Sequence, residues 1–114
     1  MFIIGGYVEV DPSQREAFLA ERIEDIKTSQ AEDGCGEYVM SADPINPSRV
    51  LVFEIWESDA HHDAHIQRMR AARPAGAPGI DLKSVNVLYY DVTEGPDGAL
   101  YLAAQDAVWR LAER

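Results

Sequence analysis

The sequence predicts an α+β fold, with two helices packed on one face of a four-stranded antiparallel sheet, and three observations predict it. Four stretches rich in Ile, Val, Leu, Phe and Tyr read as strands, over residues 2–10, 37–42, 50–57 and 82–92. Two amphipathic stretches at helical spacing separate the first strand from the second and the third from the fourth. Between the middle strands stands only Asp43-Pro44-Ile45-Asn46-Pro47, whose two prolines and asparagine turn the chain back as a hairpin. The order is β-α-β-β-α-β, the split pattern of the ferredoxin-like arrangement.

The first strand is closed by Asp11-Pro12 and interrupted by Gly5-Gly6, a pair that marks a packing constraint, a bulge or a close approach of another backbone. Asp11 is placed as an N-cap, Pro12 at the first helical position and Gln14 at the third position of a capping box. Phe18, Leu19, Ile23, Ile26 and Gln30 then form the inner stripe of a helix of about five turns. Glu16, Glu21, Glu24, Asp25 and Lys27 form its wet face, and Gly34 ends it. Ser58 or Asp59 caps the second helix, which runs to about Ala72 before Pro74, Gly76, Pro78 and Gly79 force a loop.

The strands carry large apolar residues on both parities, so the face away from the helices needs a cover of its own. The expected cover is a second copy, giving a homodimer with sheets packed face to face. Beyond the turn Gly95-Pro96-Asp97-Gly98, residues Leu100, Ala103, Ala104, Ala107, Val108 and Leu111 recur at helical spacing. They predict a third helix over 99–113, anchored by Trp109. Residues 1–92 are thus expected to form the domain, and 93–114 a turn and helix docked on it or on the dimer partner.

The chain of 114 residues suits one domain able to bury roughly two-thirds of the surface its unfolded form exposes. Twenty acidic against ten basic residues leave a net charge of −10, which repels phosphate backbones and anionic bilayers; neither nucleic acid nor membrane is an expected partner. The single cysteine, Cys35, excludes an internal disulfide and any four-cysteine zinc site, and points to a reducing cytoplasm. Met1 leads straight into Phe2-Ile3-Ile4 with no basic segment ahead of an apolar core, so no signal peptide is expected. No apolar run of about 18 residues is present to span a bilayer.

The residues able to do chemistry near neutral pH gather between positions 50 and 69, which hold all three histidines and one of the two tryptophans. On the second helix, positions 62, 65, 66 and 69 share a side that Ile66 and Met69 mark as inward, so His65 points toward the sheet. In the plainer reading it is a buried neutral imidazole bonded to a backbone carbonyl. Such burial lowers a histidine's affinity for protons and leaves it available as a base or hydrogen-bond partner. His61 and His65 have chelating spacing, but the run lacks the glutamate of a His-Glu-x-x-His motif and a spaced third ligand; no metal is expected. His61 and His62 read as solvated first-turn residues.

Cys35 has no basic neighbour in sequence to stabilise a thiolate and reads as a small apolar group. Glu54 and Trp56 share one strand face with Val50 and Val52, so Glu54 either sits on a rim or needs a partner such as Arg or Tyr. Tyr7, Tyr38, Tyr89 and Tyr90 all lie in strands, half of them facing the cleft under the helices. No phosphate-cradling glycine loop and no Gly-x-Ser-x-Gly elbow is present.

Asp33-Gly34-Cys35 resembles a Pro-Gly-Cys turn, and Glu54-Ile55-Trp56-Glu57-Ser58 followed by His65 resembles a Glu-x-Trp-x-Ser…His signature. Together with the element order, these are similar to the antibiotic biosynthesis monooxygenase (ABM) domain of the dimeric α/β-barrel superfamily, over about residues 1–92. The resemblance implies an enzyme that oxidises a phenol- or quinol-type aromatic with dioxygen, without metal or organic cofactor. His65 would bind or deprotonate the substrate and Trp56 would line its pocket, with Tyr7, Glu54 and Met69 as further substrate-binding residues. A second branch of the family degrades haem with an asparagine in the first strand; here Ile4-Gly5-Gly6-Tyr7-Val8-Glu9 holds none. The alternative is a non-catalytic dimeric barrel that binds a small ligand or serves in stress.

Overall fold

The computed structural model describes residues 1–73, 79–104 and 107–110. The elements are β1 (Phe2–Glu9), a 3-10 turn (Pro12–Gln14), α1 (Arg15–Gln30), β2 (Cys35–Ala42), β3 (Arg49–Trp56), α2 (Asp59–Ala72), β4 (Ser84–Glu94), β5 (Leu100–Ala104) and β6 (Ala107–Arg110). The strands join one sheet in the order β2-β3-β1-β4-β5-β6, and every adjacent pair is antiparallel. The first four are the expected ferredoxin-like set, with β1 at the centre because each crossover helix returns the chain to a non-adjacent strand.

Alternation fixes which side chains meet the helices. Along β3, Val50, Val52, Glu54 and Trp56 are buried, whereas Leu51 and Phe53 are exposed on the other face. Pairing of Ile4 with Glu54 and Tyr89, and of Val8 with Val50 and Val85, carries the same division across the sheet. Val8, Val10, Phe18, Val50 and Val52 pack as one cluster, and Phe2, Ile4, Tyr38 and Trp56 as another.

Local chemistry explains the joints. Asp11 caps as expected, its carboxylate accepting from the Ser13 amide at 2.9 Å, but the first turn is 3-10, with the Gln14 N–H bonded to the Asp11 carbonyl at 2.8 Å. The inner side of α1 carries Phe18 and Ser29, both buried, with Ile23 turned outward at 47% exposure. Gly6 has φ +145° and lies where a side chain would strike the β4 backbone at Asn86 and Val87, so its glycine answers to a close approach. Gly34, at φ +78°, lets the turn after α1 pass against the ring of His61, where a Cβ would collide.

The C-terminal expectation is corrected. In place of a helix over 99–113 the chain forms β5 and β6, antiparallel to β4 and to each other. The turn at 95–98, with Gly98 at φ +78°, reverses the chain so that Glu94 pairs with Leu100 and Asp91 with Ala103. The free edge of β4 offers backbone donors and acceptors that an isolated helix of this length cannot match, and Leu-Tyr-Leu at 100–102 is strand-compatible. The predicted loop residues Pro74, Gly76 and Pro78, the anchoring Trp109 side chain and Leu111 lie outside what is described. Among the described residues no helix is long and apolar enough to cross a membrane.

Candidate functional site

Two joints place α2 over the sheet. Ser58 caps it, its hydroxyl accepting from the His61 amide at 3.2 Å and meeting His61 Nδ1 at 2.6 Å. The Glu57 amide donates to the Gly34 carbonyl at 2.8 Å, tying the start of the helix to the turn after α1. Helical phase then sends His65 inward, 2% exposed. Its ring lies 4.8 Å from the Trp56 ring and 5.2 Å from that of Tyr38, centroid to centroid.

His65 bonds to a carboxylate, not to a backbone carbonyl. Its Nδ1 lies 2.8 Å from Glu32 Oε1, and the same oxygen accepts from Arg68 Nε at 3.1 Å and Nη2 at 2.8 Å. An ionised carboxylate only accepts, so Nδ1 carries the proton; in the neutral ring Nε2 is then an acceptor, with no partner among the described residues. Burial raises the Glu32 carboxyl, but the hydrogen bonds from Arg68 and His65 and their charges outweigh it and hold the group below the usual carboxylate range. Arg68 Nη2 also donates to the fully buried Ser29 Oγ at 3.0 Å, which anchors the array to α1.

Beneath this lies a second carboxylate. Glu54, buried, accepts from the Trp56 indole N–H at 2.9 Å, the two side chains standing on the same face of β3. Burial pushes its carboxyl above the ordinary range, against the indole hydrogen bond and the charge of His65. Tyr38 is driven far above its ordinary range by burial and by the charges of Glu54 and Asp25, so it stands as a neutral phenol. His62 is shifted down by burial and by His65, against Asp63 and Asp59, and its ring contacts those of Phe2, Trp56, His65 and Tyr89 at centroid distances of 5.4 to 6.0 Å.

Between α2 and the sheet opens a cleft of about 210 Å³, lined by Tyr38, Glu54, His62, His65, Ile66, Met69 and Tyr89 over a floor of Ile4, Val52 and Val87. Wider grooves, of about 360 and 340 Å³, run along the end of the sheet near Met1 and Glu57. Neither holds an inward imidazole or a ring cluster. The small apolar cleft with a few convergent polar groups is therefore the candidate site, sized for a small molecule.

Of the residues expected here, His65, Glu54 and Met69 line the cleft. Trp56 does not: it has no exposed surface and stands behind His65 as its support. Tyr7 is corrected outright. Odd-numbered residues of β1 face away from the helices, and Tyr7, paired with Leu51 and Asn86, lies on the other face under the Arg49 guanidinium, 3.9 Å from the ring centroid. His62 is half-buried rather than solvated. Glu32 and Arg68 were not singled out by sequence reasoning; their signals were Glu32 adjoining Asp33-Gly34-Cys35 and Arg68 lying one turn beyond His65.

A sequence model of the antibiotic biosynthesis monooxygenase family matches residues 1–73. The chain belongs to this family. As an ABM protein it is similar to a solved structure from Nitrosomonas europaea, described as a candidate antibiotic biosynthesis monooxygenase. The two are 16% identical with a TM-score of 0.63, covering 80% of this chain and 97% of that one. It is likewise similar to a conserved protein from Methanosarcina mazei, at 21% identity and a TM-score of 0.63 over 78% of this chain and 88% of that one. At these identities the likeness carries the fold alone. The uncharacterized protein sll1783 of Synechocystis is 32% identical over 65 residues, 57% of this chain; the match spans 44% of that relative's length.

Proposed function

We propose that this ABM protein is a cofactor-independent monooxygenase oxidising a small phenol- or quinol-type aromatic with dioxygen. The observation that carries the reading is His65, buried at the cleft with Nδ1 held by Glu32 and Nε2 unpartnered among the described residues. A ligand hydroxyl against Nε2 gives up its proton, and the carboxylate behind stabilises the imidazolium that forms. The resulting anion is electron-rich enough to react with dioxygen directly. For a ring carbon bearing two hydrogens the balance is CH2 + O2 → C=O + H2O: one oxygen stays on carbon and the other leaves as water with both hydrogens. Ile4, Val52, Val87 and Met69 supply the dry walls that keep solvent from the anion.

Oxygen-electrode assays with anthrones and hydroquinones test this. Uptake is expected to fall by on the order of 100-fold in His65→Ala. Full turnover in that variant would remove the catalytic role, and saturable binding without uptake would favour a ligand-binding barrel.

We further propose that a second copy covers the open face of the sheet. The row Val39, Phe53, Gly5 and Leu88 crosses four paired strands on that face, and Val39, Phe53 and Leu88 are 38 to 43% exposed. The strands β5 and β6 would sit at the margin of such a dimer, since they prolong the same sheet beyond β4. The unpaired Cys35 suits a cytoplasmic setting.

A further inference from the structure

The wall of the cleft holds one carboxylate and, among the described residues, no lysine or arginine. Glu54 reaches it from β3 between Val52 and Tyr38, 8% exposed. Its carboxylate is half satisfied: Oε1 takes the Trp56 indole N–H at 2.9 Å, and Oε2 has no donor among the described residues. His65 Nε2 is a second open acceptor in the same cleft. Tyr38 stands as a neutral phenol, and His62 is held toward its neutral form by burial. With His65 neutral, Glu54 Oε2 and His65 Nε2 stand as open acceptors in a cleft that holds, among the described residues, no lysine or arginine.

We infer that Glu54 is the specificity-determining residue of this cleft, selecting aromatic ligands that carry a second hydrogen-bond donor and turning away aromatic carboxylates. The inference deepens the monooxygenase reading by naming the class of ligand, and rests on its choice of cleft. A ligand hydroxyl facing Oε2 supplies the donor the buried carboxylate lacks. A carboxylate brought there loses its hydration shell, meets no lysine or arginine and faces Glu54 across apolar walls where repulsion is little screened. A site built to hydrogen-bond a hydroxyl also rejects analogues without it, because its own polar group is then left unpaired. Exclusion of wrong ligands comes from repulsion as much as from attraction to right ones.

The test is calorimetric titration of the protein with 2,6-dihydroxynaphthalene, 2-naphthol and 2-naphthoate. The expected order of affinity follows that order, with the carboxylate weaker than the diol by about tenfold or more. In Glu54→Gln, whose amide can still accept from Trp56 and can also donate, the gap between diol and carboxylate is expected to shrink to about threefold or less. If Glu54→Gln does not fold, Met69→Lys places a cation in the same cleft and is expected to raise the affinity for 2-naphthoate alone. Equal binding of naphthol and naphthoate, a gap that survives in Glu54→Gln, no gain in Met69→Lys, or no binding of any probe overturns the inference. Discrimination without oxygen uptake would leave it standing and remove the monooxygenase reading; uptake without discrimination would do the reverse.

Discussion

Glu32 and His65, 33 residues apart in the chain, meet through a single 2.8 Å contact between Oε1 and Nδ1. Arg68 closes on the same oxygen, so the carboxylate stays ionised and the imidazole keeps its proton on the side away from the cleft.

Glu32→Gln is therefore expected to loosen the tautomer of His65. Nitrogen-15 NMR of the side chain should find Nδ1 protonated in the native protein and a mixture in the variant. A single Nδ1–H form in both would show that Glu32 does not set it. The same change removes stability with a definite sign. A carboxyl whose folded pKa lies below its unfolded value contributes stability above the unfolded pKa and loses it as pH falls through the folded one. Denaturation near pH 7 should find the variant less stable by about 2 kcal/mol, with the gap closing in acid. A pH-independent gap would contradict the linkage.

Glu54 carries the opposite sign. Burial raises its folded pKa, so its contribution is fully present below the unfolded value and is lost as pH rises through the folded one. Glu54→Gln, which keeps an acceptor for the Trp56 indole, is expected to be more stable than the native protein near pH 8. A gain of about 1 kcal/mol, or on the order of 5 °C in Tm, is expected there and should vanish toward pH 4. A melting series across that range measures it, and a variant less stable at pH 8 would refute the assignment.

How much of this was legible in the sequence divides by distance along the chain. Alternation over 50–56 put Glu54 and Trp56 on one face with Val50 and Val52, leaving open whether Glu54 sat on a rim or was buried with a partner, and helical phase picked His65 from three histidines, because both signals repeat within one element. The Glu32 contact was not legible, since nothing local in a turn says which helix it will meet 33 residues later. Tyr7 was misplaced because a strand's parity is visible but the face it selects is set by pairing with β3 and β4. His62 was missed because its burial comes from Phe2 and Tyr89, on strands far from it in sequence. The tail was misread because its apolar residues fit a helical period, while the open edge of β4 decided for strands.

Phe53 tests the open face. It stands at 43% exposure between Val39 and Gly5 in the cross-strand row. Phe53→Asp should leave the fold intact, because the side chain has no part in the helix-side core. Light scattering is expected to give twice the chain mass for the native protein and the chain mass for the variant at micromolar concentration, since a charge at the centre of an apolar interface is left unpaired. A native monomer would end the dimer proposal.

Gly34 links backbone geometry to the site. Its φ of +78° is one that alanine adopts only under strain, and a Cβ there would run into the His61 ring on the first turn of α2. The same turn carries Glu32 two residues earlier, and the Glu57 amide bonds to the Gly34 carbonyl. Gly34→Ala must therefore push the turn away from α2, which lengthens the contact from Glu32 to His65. The expected cost is about 1–3 kcal/mol in chemical denaturation. Its signature is a second effect that strain alone would not give: the nitrogen-15 spectrum of His65 should shift toward the mixed tautomers expected for Glu32→Gln. Lost stability with an unchanged His65 spectrum would mean that the turn relaxes without moving Glu32, and that the imidazole is held by Arg68 and the packing of Trp56 and Tyr38 instead.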